Sequence, residues 1–321
     1  MSKIFVLVLS PALDYLIRTD DFRNGKVIRA QSTTLIPSGK GVNTARTIAA
    51  LNADVHVIGL IGNDRQAHFS NLGSKRISTL WYAGDWVTRM NVTIVDTKGS
   101  LISHIRAQSE AVDRRKVKQI VADLFGRLKN GDVLVLSGSL PKGLPSDTYA
   151  GIIKRSNKAG VMTILDAEGE VLRLGMAEHP TIAKPNQAEF GTLFPNADAR
   201  SSGQLASSLM KALGDTKGSI FLSLGSKGVA VVKAGEQTLW RGQVSIKGSQ
   251  RLGEEIGSGD SMVGALAVGL QQGKSIEGMI RMGVACGAAN LLHPIPGLVS
   301  KKDVQRLSAA TQVVKSRIRR S

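Results

Sequence analysis

The chain is poor in cysteine, in aromatic residues and in long apolar runs. Its single cysteine, Cys286, excludes a disulfide within the chain and fits a reducing compartment. The first apolar run, Ile4–Leu9, is too short for a signal-peptide core, and no stretch approaches the ~20 apolar residues of a membrane helix. We therefore expect a cytoplasmic protein with no membrane partner, and interpret Ile4–Leu9 as a buried first strand.

Acidic residues are also scarce: 25 Asp and Glu against 42 Lys and Arg give a net charge of +17, which raises the question of nucleic-acid binding. The basic residues are spread along the chain, and the only dense cluster is the tail 315–320. Phe, Trp and Tyr together make up 4%, so few side chains could stack on bases. Specific nucleic-acid recognition is not expected, whereas a positive field would attract small phosphorylated substrates.

Glycine is plentiful, at 35 residues, and strand-like runs alternate with amphipathic helices. The apolar residues from Val117 to Leu128 recur at helical spacing, and the run Asp132–Ser137 behind them is typical of a strand covered on both faces. This order predicts a parallel sheet with helices on both sides. The same alternation continues with a helix at about 146–158, strands at 161–165, 181–184 and 219–224, and a helix near 204–213.

Two regions, about 13–36 and 86–107, instead contain short alternating strands. The second of them predicts a hairpin that turns at Lys98–Gly99. Such strands do not join a parallel sheet easily, so we interpret them as a small projecting β-sheet, a candidate lid or dimer contact. With no linker or repeat elsewhere, residues 1–321 are expected to form one domain.

The strongest local motif is Gly257–Ala267, in which glycines precede an apolar helix that carries an aspartate in its first turn. Amide groups at a helix N-terminus can converge on a phosphate, and glycines let it approach. Asp260 beside that point could take a proton from an attacking hydroxyl. An ordinary helix cap, in which Asp is also favoured, explains the residues equally well.

A second glycine-rich turn, Pro37–Arg46, contains Lys40 and opens another helix. It offers backbone donors and a cation to an anion. The spacing of a P-loop is absent. On its own this segment is more often a plain turn.

The segment Lys184–Glu189 follows a predicted strand and starts a helix. Asn186 and Glu189 are three residues apart, so both could order Mg²⁺ or its waters. A capping box has the same residues, and in isolation it would be the preferred interpretation.

The segment Ser223–Gly228 lies at the end of another predicted strand. Ligands of open α/β sheets bind at the carboxyl ends of strands, so this polar turn could line a nucleotide pocket. A β-turn without a ligand is equally compatible with these residues.

In this order the four motifs resemble those of the PfkB, or ribokinase-like, carbohydrate kinase family. The resemblance covers essentially the whole chain, including Ser10–Asp14, Ser137–Pro141 and Val284–Ala289. Within the family the chain is most similar to the phosphosugar branch, which contains the minor bacterial 6-phosphofructokinase, 1-phosphofructokinase and tagatose-6-phosphate kinase. The resemblance implies a ribokinase-like three-layer α/β/α sandwich, a mainly parallel central sheet with a small β lid, and a homodimer formed through that lid.

The resemblance also implies an ATP- and Mg²⁺-dependent kinase that phosphorylates a ketohexose phosphate, with fructose 6-phosphate expected first. Asp260 would be the general base, in an anion hole formed with Gly257, Ser258 and Gly259. The sugar phosphate would be bound by Asp14, Lys26, Gly39, Lys40, Gly41, Asn43, Arg89 and Ser139. The nucleotide side would comprise Lys184, Asn186, Glu189, Ser223, Gly225 and Gly228, with Asn186 and Glu189 reaching the metal through water.

Two departures from the family pattern keep alternatives open. Ser258 replaces an alanine of the family motif, and Glu255 places a negative charge near the expected phosphate site. A sugar-phosphate sensor that has lost catalysis therefore stands as an alternative of another class. Lys40 resembles the pattern of 1-phosphofructokinase and tagatose-6-phosphate kinase. The segment Asp85–Arg89 and the C-terminal third are more similar to the minor bacterial 6-phosphofructokinase, which the chain resembles most.

Overall fold

The structure is a computed structural model that describes residues 2–99, 101–194, 202–214, 217–246 and 255–318. The strands in chain order are β1 (Ile4–Val8), β2 (Ala12–Thr19), β3 (Ser32–Ser38), β4 (Val55–Gly62), β5 (Ile77–Gly84), β6 (Met90–Asp96), β7 (Leu101–Ile105), β8 (Val133–Ser137), β9 (Met162–Asp166), β10 (Ile182–Ala183), β11 (Ser219–Ser223), β12 (Val229–Lys233), β13 (Thr238–Gln243) and β14 (Gln312–Arg317).

Helices connect most of these strands. They are α1 (Lys40–Ala50), α2 (Gln66–Phe69), α3 (Arg114–Arg127), α4 (Thr148–Lys158), α5 (Gly169–Ala177), α6 (Gln187–Leu193), α7 (Ser202–Leu213), α8 (Ser258–Gln271), α9 (Ile276–Asn290) and α10 (Lys301–Ala310). Single 3₁₀ turns follow β4 and β11.

The large sheet has the strand order β14-β13-β12-β11-β10-β9-β8-β1-β4-β5 within the described residues. From β11 to β5 all neighbours are parallel, and β12, β13 and β14 extend the sheet with antiparallel pairs. The predicted mainly parallel sheet is confirmed. The antiparallel pairs β11-β12 and β12-β13 follow from short connections, because these strands are too close in sequence for helical crossovers. Strand β14 joins β13 only after α8, α9 and α10.

Strand β1 contributes side chains to two apolar cores, one on each face of the large sheet. Ile4, Val6 and Val8 belong to the apolar cluster formed with α1 and α8. Phe5 and Leu7 face the other way and pack with α3 and α4. Because strand side chains alternate between faces, a near-continuous apolar run is what a strand between two helical layers requires. Each fully buried aliphatic side chain there contributes about 1.5–3 kcal/mol. The predicted three-layer α/β/α sandwich is confirmed.

The four remaining strands form a separate small sheet in the order β3-β2-β6-β7. Its outer pairs are antiparallel, and β2 and β6 run parallel in the middle. These strands come from the two regions expected to hold a small sheet, and β6 and β7 form the expected hairpin. Two apolar side chains of its strand β7, Ile102 and Ile105, are exposed.

In the part of the chain that the structure describes, no helix has the length and apolarity needed to cross a membrane. Arg319 and Arg320, which belong to the basic tail, lie outside the described residues.

Candidate active site

A cleft of about 1220 Å³ lies between the large sheet and the small sheet. It sits at the carboxyl ends of parallel strands, where open α/β sheets bind ligands. Asp166 ends β9, Lys184 directly follows β10 and Ser223 ends β11, and all three line the cleft. The opposite wall includes Asp14 of β2 and Asn91 of β6.

The N-terminus of α8 forms one wall of this cleft. Gly257 caps it in the left-handed conformation, with φ 85°, where a side chain would be strained. The first amides of a helix have no partner inside the helix. The backbone amide of Ser258 donates to the Glu255 carbonyl, and that of Ser261 donates to the Gly257 carbonyl. The backbone amides of Gly259 and Asp260 have no backbone acceptor among the described residues. Those two N–H groups and the helix dipole provide a site for an anion.

Asp260 lies in the first turn of α8 and is only 7% exposed. Its Oδ2 accepts a hydrogen bond of 2.8 Å from Asn43 Nδ2 of α1. Burial, reinforced by the nearby negative charge of Asp166, raises the pKa of Asp260 to about 6, although Asn43, Lys40 and Lys184 act in the opposite direction. A carboxylate with this pKa is ionised at neutral pH and is still basic enough to accept a proton.

Asp166 is a buried carboxylate that the sequence did not single out. It is 1% exposed and lies 3.1 Å from Lys184 Nζ and 3.6 Å from Lys40 Nζ, while Ser137 Oγ donates to it at 3.0 Å. Burial opposes its ionisation, but the two ammonium groups outweigh burial and lower its pKa. The charge of Asp166 in turn raises the pKa of Lys40 despite burial. Asp166 therefore holds two cations at the floor of the cleft.

Lys184 is close to the start of α8. A methyl group placed on Gly259 would lie 3.5 Å from Lys184 Nζ, so the ammonium group stands over the first turn of this helix. The free amides and the cation consequently act on the same small volume, where a transferring phosphoryl group would gain charge stabilisation.

Arg89 is the main cation at the small-sheet end of the cleft. Its guanidinium makes two long hydrogen bonds, of 3.4 Å each, to the carbonyls of Ala107 and Ser10, and its buried Nε has no partner. No carboxylate lies within ion-pair distance of it among the described residues. Burial lowers its pKa, partly offset by Asp14. The guanidinium thus keeps donors available for an incoming anion.

Asp14 and Ser139 lie near Arg89 in the same cleft. Asn91 Nδ2 donates to Asp14 Oδ1 at 2.7 Å, which fixes the orientation of that carboxylate. Ser139 Oγ lies 3.4 Å from Ser10 Oγ. These oxygens are suited to sugar hydroxyls, which can both donate and accept hydrogen bonds.

Asn186 and Glu189 form a complete capping box at the start of α6. Asn186 Oδ1 accepts from the Glu189 amide, and Glu189 Oε2 accepts from the Asn186 amide, both at 2.8 Å. Both residues also line the cleft. The box uses one carboxylate oxygen of Glu189 and leaves Oε1 for a metal-bound water, so the donor set is compatible with Mg²⁺, which keeps several waters.

The predicted site residues line this cleft, with two exceptions. Lys26 is exposed in the segment between β2 and β3 and does not line the cleft of its own chain. Gly41 lies inside α1, where an added Cβ would stand 2.7 Å from Val8 Cγ2, so this glycine allows α1 to pack on β1. Lys26 and Gly41 are thus the two predicted sugar-binding residues that do not line the cleft of a single chain.

The remaining predicted residues come together in the cleft. They are Asp14, Gly39, Lys40, Asn43, Arg89, Ser139, Lys184, Asn186, Glu189, Ser223, Gly225, Gly228, Gly257, Ser258, Gly259 and Asp260.

The two departures from the family pattern also lie in this region. Ser258 Oγ accepts a hydrogen bond of 3.3 Å from Asn290 Nδ2, so its hydroxyl is tied to α9. Glu255 is exposed at the cleft wall, and its backbone carbonyl accepts from the Ser258 amide. Its carboxylate is therefore free to remain hydrated.

The cleft contains further charged groups that sequence reasoning missed, notably Arg106 beyond β7 and Glu168 beyond β9. Arg106 is close enough to Arg89 to contribute to lowering its pKa. Asp166 and Glu168 carried a usable signal, because they follow a buried strand at the edge where ligands bind. Arg106 had no such signal, because the sequence pattern of its hairpin does not show which side chains face the cleft.

Comparison with known proteins places the chain among carbohydrate kinases. Residues 3–301 match the model of the pfkB family carbohydrate kinases. The chain is 27% identical to 1-phosphofructokinase of Bacillus subtilis, over 97% of this chain and 99% of the relative. It is 29% identical to ATP-dependent 6-phosphofructokinase isozyme 2 of Escherichia coli, over 96% and 99%. The structure of Escherichia coli phosphofructokinase-2 in complex with fructose-6-phosphate superposes with a TM-score of 0.86, at 27% identity, covering 96% of this chain and 99% of that one.

Proposed function

The chain belongs to the pfkB family of carbohydrate kinases, and from that premise we propose that it transfers the γ-phosphoryl group of ATP to fructose 6-phosphate, giving fructose 1,6-bisphosphate. It is an ATP-dependent kinase of sugar phosphates, as its relatives are. The observation that carries the proposal is the arrangement at α8. There, a buried carboxylate with a pKa of about 6 lies beside two amides without backbone acceptors, at the wall of a large cleft.

The residues divide the reaction between them. Asp260 accepts the proton of the attacking hydroxyl as the oxygen–phosphorus bond forms. The amides of Gly259 and Asp260, together with the Lys184 ammonium, balance the charge on the transferring phosphoryl oxygens. Phosphoryl transfer needs positioning and charge neutralisation rather than covalent catalysis, and these groups would supply both at the transferring phosphoryl group.

The phosphate already present on the sugar is assigned to Arg89. Its Nε has no partner among the described residues, and its other two nitrogens make only long hydrogen bonds. This planar fork can bind a phosphate with two parallel hydrogen bonds. Asp14, Asn43 and Ser139 supply oxygen and amide groups for the sugar hydroxyls between Arg89 and Asp260. A neutral sugar would leave this guanidinium without a counter-ion, which supports a phosphorylated acceptor.

The nucleotide is assigned to the part of the cleft formed by Ser223, Gly225 and Gly228, and the metal to Asn186 and Glu189 through water. Mg²⁺ held there would neutralise charge on the ATP phosphates. Asn186 and Glu189 would orient its waters with the oxygens that the capping box leaves free.

A substrate panel tests the proposal. We expect the highest kcat/KM with fructose 6-phosphate when ADP formation is measured against fructose 6-phosphate, fructose 1-phosphate and tagatose 6-phosphate. A clear preference for fructose 1-phosphate would favour 1-phosphofructokinase, the activity of the Bacillus subtilis relative, and a preference for tagatose 6-phosphate would favour tagatose-6-phosphate kinase. Sugar binding without ADP formation from any of them would identify a sensor instead of a kinase.

We also propose that the chain forms a homodimer through the small sheet. Ile105 is 59% exposed, and Val27, beyond β2, is 101% exposed. Both residues belong to the two chain regions that supply the small sheet, and an exposed apolar patch is usually covered by a partner. Sedimentation at micromolar concentration should give a dimer for the wild type and a monomer for Ile105→Glu. A wild-type monomer at that concentration would rule the dimer out.

A further inference from the structure

We propose that Arg46 positions the side-chain amide of Asn43 and, through it, tunes Asp260 for accepting a proton. Arg46 lies in α1, one turn after Asn43, and does not line the cleft. The inference rests on the role of Asp260 given above and adds a residue that the reaction itself does not contact. Arg46 is therefore a positioning residue.

The guanidinium of Arg46 joins three parts of the chain. It donates to the carbonyl of Pro37 at the end of β3, to Asn43 Oδ1 at 3.2 Å and to the carbonyl of Pro296 at 3.5 Å. Arg46 is 8% exposed, and none of the ion pairs found among the described residues includes it. Burial lowers its pKa to about 10, with Asp14 opposing, so it stays charged at neutral pH.

A buried cation held only by neutral acceptors is costly, and its presence calls for a compensating role. The role indicated by the geometry is control of the Asn43 amide. Asn43 Oδ1 accepts hydrogen bonds from Arg46 and, at 3.2 Å, from Ser38 Oγ. The two donors fix the oxygen side of the amide, so Nδ2 must point to Asp260 Oδ2, at 2.8 Å. A flipped amide would set its oxygen against the carboxylate and its NH₂ group against the guanidinium.

Asn43 provides the side-chain hydrogen bond to the Asp260 carboxylate in the described structure. The charged groups that act on Asp260 are Asp166, which raises its pKa, and Lys40 and Lys184, which lower it. Burial raises it further, and the Asn43 hydrogen bond stabilises the ionised form against that effect. A loosened Asn43 amide should therefore raise the pKa of Asp260. As the pH falls, kcat should then begin to drop at a higher pH than in the wild type.

The pH dependence of kcat tests this inference. In Arg46→Met the midpoint of the acid limb, measured with saturating ATP and fructose 6-phosphate, should move up by about one pH unit, since one hydrogen bond to the charged form is weakened. Arg46→Lys and Ser38→Ala should move it in the same direction by less. Arg281→Met is the matched control, because Arg281 is a half-buried arginine that donates to the Thr311 carbonyl and pairs with Glu277, away from the cleft.

A uniform loss of activity at every pH, or an acid limb that stays in place in Arg46→Met, Arg46→Lys and Ser38→Ala alike, would overturn the inference. If Arg46→Met does not give a cooperative thermal melt, the other two variants decide. A second readout needs no turnover: the ¹³C carboxyl signal of Asp260, assigned by its loss in Asp260→Asn, should titrate at higher pH in the variants than in the wild type. A shifted signal in a protein that phosphorylates none of the three sugars would refute the proposed function and leave the inference standing.

Discussion

The two walls of the cleft differ in how firmly their side chains are held. On the large-sheet side, Asp260, Asn43 and Asp166 are 7%, 3% and 1% exposed and are tied into hydrogen bonds and ion pairs between α1, α8 and β9. On the small-sheet side, Arg89 and Asp14 are half-buried, and the guanidinium has only long contacts. The contrast indicates that the first wall is built for one reaction, whereas the second can be altered to accept different sugar phosphates.

The largest expected effect comes from removing the proposed general base, Asp260, on the large-sheet side of the cleft. Asp260→Asn keeps the shape of the side chain and should lower kcat by roughly 10²–10⁴-fold, with little change in the KM for the sugar. Steady-state kinetics with an ADP-coupled assay measures both constants. A kcat within tenfold of the wild type would remove Asp260 from the mechanism.

On the other wall the effect should fall on binding. Arg89→Met should raise the KM for the sugar phosphate about 30-fold, the equivalent of losing ~2 kcal/mol from a charged hydrogen bond, and should leave the KM for ATP unchanged. Arg23→Met, at an exposed arginine of the segment after β2, is the matched control. Equal KM values for the sugar in both variants would show that Arg89 does not bind the phosphate.

Of the two walls, only the large-sheet side, through Asp260, should respond to a fall in pH. Asp260 must be ionised to accept a proton, and its raised pKa of about 6 means that this form is lost as the pH falls through that value. Below it, kcat at saturating substrate should fall about tenfold per pH unit. The residual activity of Asp260→Asn should lack this limb. A wild-type kcat that stays constant down to pH 5 would contradict the assignment.

At the nucleotide end of the cleft, one substitution can separate the proposed metal-binding role of Glu189 from its role in capping α6. Glu189→Gln keeps a residue that completes a capping box but removes the carboxylate charge. The Mg²⁺ concentration for half-maximal velocity should rise by about tenfold, as is typical when a residue behind metal-bound waters is altered. An unchanged melting temperature would confirm that the cap survives. Unchanged Mg²⁺ dependence would exclude Glu189 from the metal site.

The smallest change in catalysis is expected at Gly41. Gly41→Ala places a methyl group 2.7 Å from Val8 Cγ2, and the overpacking should lower the free energy of unfolding by about 1–3 kcal/mol. Denaturant titration measures this loss. The sugar KM should stay at the wild-type value at 25 °C, because the residue serves the packing of α1 on β1. A KM increase without a loss of stability would restore Gly41 to the binding site.

The sequence predicted the two sheets and the glycine-rich ends of α1 and α8 well, because those features depend on local patterns. It missed Asp166, although the position of this residue at the end of a buried strand was a usable signal. Its pairing with Lys40 and Lys184 could not be predicted, because those partners are far from it in sequence. The role of Arg46 could not be predicted either, because in the sequence it is an ordinary helical residue. Its contacts with Pro37 and Pro296 form only in the folded chain. Gly41, which the family resemblance assigned to the sugar, does not line the cleft, and a side chain at this position would meet Val8 of β1.

The links between the two sheets are very short. Only Leu9, Ser10 and Pro11 separate β1 from β2, and Gly39 alone separates β3 from α1. Tilting the small sheet would therefore pull on the central strand and on the first turn of the helix that carries Asn43. If Arg89 binds the sugar's phosphate as proposed, a tilt of the small sheet on binding would be transmitted through these short links to α1. An acceptor that lacks that phosphate should then be phosphorylated slowly even when it is supplied in excess.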